Sequence, residues 1–310
     1  MKKRIGLVGG SCVDIFATSA LPLIAHDSNP GTVNIGFGGV GRNIAENLAR
    51  LSQEVLLFAP FGQDPVSAHM MAYTAAAGVD ISHCLVAPNS EAPYYISIND
   101  VGGEMAVAVN DMAICKQISP DYLMQKLDIL NTCDAIFFDT NIPKDSIDTL
   151  VEYCKPPLLA EAVSTHKAAK LVSALPYLHA IKANRQEAQA LTGLPVSVER
   201  LSLQAAADTF HRLGIPHVLI TLGKQGAFYS ANGIQLRRNA YQTTVENTNG
   251  CGDAFCAAAF LGIIKSSTPE SLLDAALAAA AITAQSKQSV SADMSLAAIE
   301  TFFHKARRNS

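Results

Sequence analysis

Short continuous apolar runs alternate along this chain with stretches in which apolar residues recur every three to four positions. The first pattern suits strands buried on both faces, and the second suits helices that cover them. Together they predict an α/β fold with a mostly parallel sheet. The predicted strands are 5–9, 55–61, 135–138, 157–160, 178–181 and 218–222. The predicted helices are 40–51, 67–77, 120–130, 144–153, 166–174, 185–192, 201–213 and 254–264, and Ile44, Leu48 and Leu51 share one face of the first. Residues 275–284 are alanine-rich, which predicts helices in close contact.

Two stretches depart from this rhythm. Residues 13–37 and 92–109 are β-like, with alternation in Tyr94-Tyr95-Ile96-Ser97-Ile98 and a turn signal at Asp100-Val101-Gly102-Gly103. Paired, they would form a small sheet outside the main one, a lid over its carboxyl edge built from about 13–37 and 92–112. No internal repeat or Pro/Ser-rich linker interrupts the chain, so residues 1–310 are expected to form one domain plus this lid.

Composition narrows the function classes. With 49% hydrophobic and 16% charged residues in a chain of 310, a sizeable core is assured and disorder is excluded. The net charge is −4, and no basic stripe interleaved with aromatics is present. Lys2-Lys3-Arg4 and Arg307-Arg308 cluster only at the ends, so neither nucleic acid nor an anionic membrane is expected as a partner. Asp14 and several glycines break the N-terminal apolar run, which suits a first buried strand better than a signal peptide. Later apolar runs fall short of the ~20 residues a membrane span needs. Seven cysteines, with no C-x-x-C pair, suit reduced thiols, and a soluble cytoplasmic protein is expected.

The stretch Asn247-Thr248-Asn249-Gly250-Cys251-Gly252-Asp253-Ala254-Phe255 carries the clearest chemistry. Small residues at 250 and 252 let the backbone approach an anion, and the helix that follows aims free N–H groups and its positive dipole end at one point. Asp253, in the first turn, is placed to take a proton from an attacking hydroxyl. The competing reading is a glycine-rich turn capped by an aspartate. Cys251 at a helix start is expected to have a lowered thiol pKa and to be sensitive to oxidation. Gly36-Phe37-Gly38-Gly39-Val40-Gly41 matches the G-x-G-x-x-G dinucleotide pattern. The next strand ends in Ala59-Pro60-Phe61, without the acidic residue that would hold a ribose, so a dehydrogenase is discounted.

Gly38-Gly39-Val40-Gly41-Arg42-Asn43-Ile44-Ala45 and Asn249-Gly250-Cys251-Gly252-Asp253 resemble the two signatures of the PfkB (ribokinase-like) family of sugar and nucleoside kinases. Between them, Asn184-Arg185-Gln186-Glu187 is similar to the family's Asn-x-x-Glu element. Thr221-Leu222-Gly223-Lys224-Gln225-Gly226 is similar to its nucleotide-binding strand end. The resemblance implies a three-layer α/β/α sandwich with a β-sheet lid, ATP and Mg²⁺ as cofactors, and a homodimer. It also implies roles. Asp253 is the general base, and the amides of Gly250, Cys251 and Gly252 form the anion hole. Asp14, Gly38, Gly39 and Asn43 hold the sugar, Asn184 and Glu187 organise Mg²⁺ through water, and Thr221, Gly223 and Gly226 face ATP. For Asn184 and Glu187 the residues also allow a helix N-cap with its acidic partner three on.

Further strings, Asp27-Ser28-Asn29-Pro30-Gly31, Arg42 and Asn110-Asp111-Met112, resemble the branch of the family that acts on pseudouridine. Asn110, Asp111 and Asn141 are the candidate contacts for its base. Asn247 stands where the family commonly has Asp, which leaves a monovalent-cation site open, and Glu161 stands where Asp is more usual. The expected activity is phosphorylation of the 5′-hydroxyl of a ribosyl substrate. The alternatives are another sugar or nucleoside as acceptor, or a non-catalytic nucleotide-binding regulator, which would need no Asp253.

Overall fold

The computed structural model describes the backbone of residues 1–308 and the side chains of residues 1–303; the side chains of Arg307 and Arg308 lie outside the described residues. The chain opens with β1 (Arg4–Val8), crosses into a small outer sheet as β2 (Cys12–Ser19) and β3 (Gly31–Gly38), and returns through α1 (Val40–Arg50) to β4 (Glu54–Phe58). A short pair, β5 (Pro60–Phe61) and β6 (Leu85–Val86), brackets α2 (Pro65–Ala76). Strands β7 (Tyr94–Asn99) and β8 (Met105–Asp111) complete the outer sheet. Then come α3 (Pro120–Gln125), α4 (Leu127–Leu130), β9 (Ala135–Asp139), α5 (Lys144–Tyr153), β10 (Leu158–Glu161), α6 (Thr165–Ala168) and β11 (Ala180–Asn184). Helices α7 (Arg185–Thr192) and α8 (Arg200–Arg212) precede β12 (His217–Thr221) and the hairpin β13 (Ala227–Ala231) and β14 (Ile234–Arg238). Helices α9 (Cys251–Ile264), α10 (Pro269–Ala284) and α11 (Leu296–Arg308) follow.

The main sheet has the order β14-β13-β12-β11-β10-β9-β1-β4, parallel from β12 to β4 and antiparallel at the β13–β14 edge. Its strands are apolar on both faces because helices cover both. Ile5, Leu7 and Phe137 join one core with residues of α1, α9 and α10, while Val8, Ile136 and Phe138 join the other with residues of α3, α5, α7 and α8. Strand β1 lies between β9 and β4, so the strand order reverses there. The crevice at such a point, beyond the carboxyl ends, is where open α/β sheets bind ligands.

The structure corrects several predicted boundaries. The strand expected over 55–61 stops at Phe58, and residues 60–61 turn off to pair with β6. The helix expected over 120–130 breaks at Lys126, and that over 166–174 shrinks to one α-turn and a 3₁₀ turn, because these short segments are held by packing rather than propensity. The strand expected over 178–181 begins later, at Ala180. The β13–β14 hairpin was not anticipated, although Asn232 and Gly233, both with positive φ, form the Asn-Gly turn that signals one. The alanine run does mark tight helix contact: a side chain on Gly262 of α9 would sit 2.9 Å from Leu272 of α10.

In the outer sheet, β3-β2-β7-β8, the central β2–β7 pair is parallel and the two outer pairs are antiparallel. Register sets its faces. Asp14 pairs with Tyr95, and Tyr95 with Asn110, so these three share a face; Tyr94 and Asp111 share the other. That second face continues outward as Val33, Ile35, Val107 and Val109, each more than half exposed.

Helix α9 is anchored on the sheet by Phe260, whose ring meets Phe137 of β9 edge-on at 5.1 Å. Phe260→Ala should lower the unfolding free energy by about 3–5 kcal/mol. Urea denaturation would read this as a lower midpoint at unchanged slope. A loss below about 1 kcal/mol would show that α9 is not held by this contact.

Candidate active site

Every residue that approaches the crevice leaves a carboxyl end of the sheet or a helix start beside it. After β1, the backbone at Gly9 to Ser11 carries the starts of β2 and α1, with Gly39 and Gly41 packed onto it. Asp14, half-buried on β2, lies directly over Gly38, where any side chain would overlap its carboxylate. This explains the glycine at 38 without a dinucleotide, and Gly36 of the same pattern stands in open space on the lid. Burial pushes the Asp14 carboxyl up to about 6, against the pull of the Cys12 hydrogen bond and the Arg42 charge.

Arg42 is 1% exposed, and its guanidinium is turned into the protein. It donates to Gly38 O (2.9 Å), Phe37 O (2.6 Å), Glu46 Oε2 (2.7 Å) and Asn43 Oδ1 (2.6 Å). Guanidinium only donates, so Asn43 must turn its oxygen to Arg42 and its Nδ2 away. That Nδ2 donates to Asp253 Oδ2 at 2.8 Å.

Gly250 begins α9 at φ 77°, ψ −9°, a left-handed conformation natural to glycine, and a side chain there would overlap Ser289 O. Asn247 braces the approach, accepting from Asn249 N at 2.9 Å and donating to Lys287 O at 3.3 Å. The Cys251 amide makes only a long bond to Thr248 O, 3.4 Å. Asp253 follows, one turn into the helix. Burial pushes its carboxyl up to about 6. The Asn43 hydrogen bond and Lys182 oppose that rise, and the Asp139 and Asp14 charges add to it. The expectation for the Cys251 thiol is overturned: burial and the Asp253 charge push it up to about 11, so it is not an activated thiol.

Asn184 and Glu187 form a capping box at the start of α7: Glu187 Oε2 accepts from Asn184 N at 2.7 Å, and Asn184 Oδ1 from Glu187 N at 2.9 Å. Asn184 pairs with Thr221 on the next strand. Thr221, Gly223, Gly226, Cys251 and Gly252 border a cavity of about 440 Å³. Its apolar walls, Tyr241, Val245, Phe255, Leu277 and Ala281, were not foreseen, because the alanine run shows packing, not which stripe borders a cleft. Lys182 was also missed; it is 6% exposed and donates to Glu161 Oε1 at 2.8 Å.

The structure therefore brings together Asp14, Gly38, Gly39, Asn43, Gly250, Cys251, Gly252 and Asp253, with Asn184, Glu187, Thr221, Gly223 and Gly226 along the neighbouring strand ends. Asn141 abuts Gly10, but its Oδ1 accepts from Lys167 Nζ at 2.6 Å and its side chain also bonds Asp139. Asn110 is exposed on the Asp14 face of the lid. Asp111 is on the opposite face, where it accepts from Ala113 N at 3.2 Å. The sequence placed Asn110 and Asp111 side by side as base contacts; strand alternation separates them.

A site with this geometry can bind an anion at the α9 start and hold a hydroxyl against Asp253. Asp253 should titrate near pH 6. Asn43→Ala should raise that midpoint by about one unit, because the lost donor stabilised the ionised form. Carboxyl-carbon NMR across pH 4–9 would measure it, and an unmoved midpoint would show that Asn43 does not hold the carboxylate.

Comparison with known proteins identifies the family. The pfkB family carbohydrate kinase model matches residues 5–295. The chain is 33% identical to the pseudouridine kinase of Escherichia coli K12 over 258 residues, covering 83% of this chain and 82% of that one. A putative sugar kinase from Clostridium perfringens superposes with a TM-score of 0.84 at 28% identity, covering 98% and 96% of the two chains. A putative ribokinase II from E. coli, in complex with ATP and Mg²⁺, has a TM-score of 0.84 at 19% identity, covering 98% and 100%, and shares the fold. The chain belongs to the pfkB family of carbohydrate kinases, phosphotransferases that act on a sugar or nucleoside hydroxyl.

Proposed function

We propose that this protein is an ATP- and Mg²⁺-dependent kinase that phosphorylates the 5′-hydroxyl of pseudouridine, giving pseudouridine 5′-phosphate and ADP. One observation carries the catalytic part: Asp253, its pKa raised, is held by Asn43 at the glycine-lined start of α9. The acceptor oxygen attacks the γ-phosphorus, the bond to the β-phosphate oxygen breaks, and Asp253 takes the hydroxyl proton. The amides at Gly250 to Gly252 receive the charge on the transferring group. Asp14 accepts from sugar hydroxyls, and the 440 Å³ cavity beside Thr221 and Gly226 takes the nucleotide.

The donor set fits a magnesium ion to which the protein would contribute few ligands of its own. Glu187 supplies a buried carboxylate three residues after Asn184, which pairs with Thr221 of the cavity lining, and several acids crowd the same strand ends. Asn184 and Glu187 would hold it, and it would neutralise phosphate charge when bound. The capping bonds keep Glu187 oriented for that task.

The 33% identity to a pseudouridine kinase supports the acceptor assignment. Pseudouridine carries a ring N–H that uridine lacks. With Asn141 engaged by Lys167 and Asp111 on the other lid face, Asn110 is the remaining candidate acceptor for it. Reduced, free cysteines suit a cytoplasmic enzyme. Among the described residues no helix is long and apolar enough to cross a membrane.

With Mg-ATP, pseudouridine should release ADP far faster than uridine, ribose, fructose or adenosine, by up to about 10⁴ in kcat/KM over uridine. Activity should fall as pH drops below about 6, where Asp253 gains its proton. In the same assay Asp253→Asn should lose about 10²–10⁴ in kcat, and Glu187→Gln should need more Mg²⁺ for half-maximal rate. Comparable rates on ribose would overturn the acceptor but not the kinase; an active Asp253→Asn would overturn the mechanism.

The bare lid face of Val33, Ile35, Val107 and Val109, next to edge strand β8, supports a homodimer in which a second copy covers it. Sedimentation equilibrium should give twice the 32.8 kDa chain mass, and Ile35→Asp with Val109→Asp should give the single mass. A wild-type monomer at micromolar concentration would refute this.

A further inference from the structure

Lys182 is the buried cation that the roles above leave unused. It lies in the middle of β11, two residues before Asn184, and is 6% exposed. Its ammonium carries three donors, and the hydrogen bond it makes is to Glu161 Oε1 at 2.8 Å. Burial opposes its charge, yet the Glu161 and Glu187 carboxylates hold it above the usual lysine range, so it stays an ammonium. Asp253 feels the same charge.

Its position relates it to the anion hole. A side chain on Gly252 would begin 3.5 Å from Lys182 Nζ. The missing Cβ thus leaves the buried ammonium close to the backbone at the start of α9. The partner shows a second feature. Glu161 is 3% exposed, and its Oε2 is buried with no hydrogen-bond partner. An ion pair kept only for stability would engage that oxygen, because leaving it unpaired is costly. Glu161 Oε1 also accepts from Val163 N at 3.4 Å, so the shortfall of the pair lies at Oε2 and at the ammonium's remaining donors.

We propose that Lys182 is a catalytic residue: its ammonium contacts the transferring phosphoryl group from the floor of the anion hole beside Gly252, with Glu161 holding it there between turnovers. As the acceptor oxygen–phosphorus bond forms and the bond to the β-phosphate oxygen breaks, the electron pair leaves with ADP and the hydroxyl proton passes to Asp253. Lys182 keeps its proton throughout and offers N–H to the phosphoryl oxygens. Three carboxylates, Glu161, Glu187 and Asp253, surround this one cation, so the incoming phosphate meets its only compensating side chain within that group.

The proposal rests on the kinase reading, and the experiment separates the two. Binding of Mg-ADP and of Mg-AMP-PNP is measured by calorimetry, and kcat by ADP release, for wild type, Lys182→Met, Glu161→Gln and the Lys182→Met/Glu161→Leu double variant. Lys182→Met should lose about 10²–10³-fold in kcat and about tenfold in AMP-PNP affinity, with ADP affinity within about twofold of wild type. Glu161→Gln, which keeps the ammonium, should hold kcat within about tenfold. The double variant replaces the whole pair with apolar groups and should regain a wild-type melting temperature but not kcat. A structural pair predicts the opposite: kcat restored with stability in the double variant, Glu161→Gln as damaged as Lys182→Met, or equal losses for ADP and AMP-PNP. Any of these overturns the role of Lys182. A wild type that binds neither nucleotide overturns the kinase reading and the proposal with it.

Discussion

The hydrogen bond from Asn43 Nδ2 to Asp253 Oδ2 joins residues 210 positions apart, and the site exists only while it does. It requires α1 and α9 to lie side by side on the same face of the sheet, with their N-terminal ends level at the carboxyl edge. The shared core of Ile44, Leu48, Phe255 and Phe260 secures the first condition. Arg42 secures the finer one. It is buried, holds Asn43 by its oxygen, and ties the end of β3 to α1 through Phe37 O and Gly38 O. The lid strand and Asp253 are therefore linked through one guanidinium. The Glu46 that neutralises it, shared with Arg50, is itself fully buried, so the linkage is rigid.

Charge explains much of the remaining design. Asp14, Asp139, Glu161, Glu187 and Asp253 converge where β1, β9, β10 and β11 end or where the neighbouring elements begin. Burial pushes Asp14 and Asp253 both to about 6, and for Asp253 the Asp139 and Asp14 charges add to it. The fold offsets this with the amide end of α9 and with Lys182. It does not cancel it, and an incoming nucleotide with a divalent cation suits what is left. Burial, with the Asp253 charge, likewise raises the Cys251 thiol.

Much of this was legible in the sequence, for local reasons. The two signatures mark places where backbone must approach backbone or a carboxylate: Gly38 under Asp14, and Gly250 in a left-handed turn against Ser289. Such demands leave glycine, or glycine and an acid, at fixed spacing, and a reader of one sequence can see them. The Asn184–Glu187 spacing was legible too, and it reads correctly as a capping box. The apolar periodicities found the sheet and most helices because burial on two faces, or on one stripe, is written into the order of residues.

What the order of residues determined, then, was the layered fold, the glycine-lined start of α9 with Asp253 in its first turn, and the cap of α7. Tertiary structure alone decided which neighbours these meet. Asn110 and Asp111 are adjacent in sequence, yet pairing with Tyr95 and Tyr94 sends them to opposite lid faces, in a hairpin whose register shifts at Ile98/Asn99. Asn141 looked free until Lys167 reached its oxygen from a later helix. Lys182 and Glu161 face each other only because β10 and β11 are parallel neighbours. Each depends on pairing across tens of residues, and no local pattern encodes that distance.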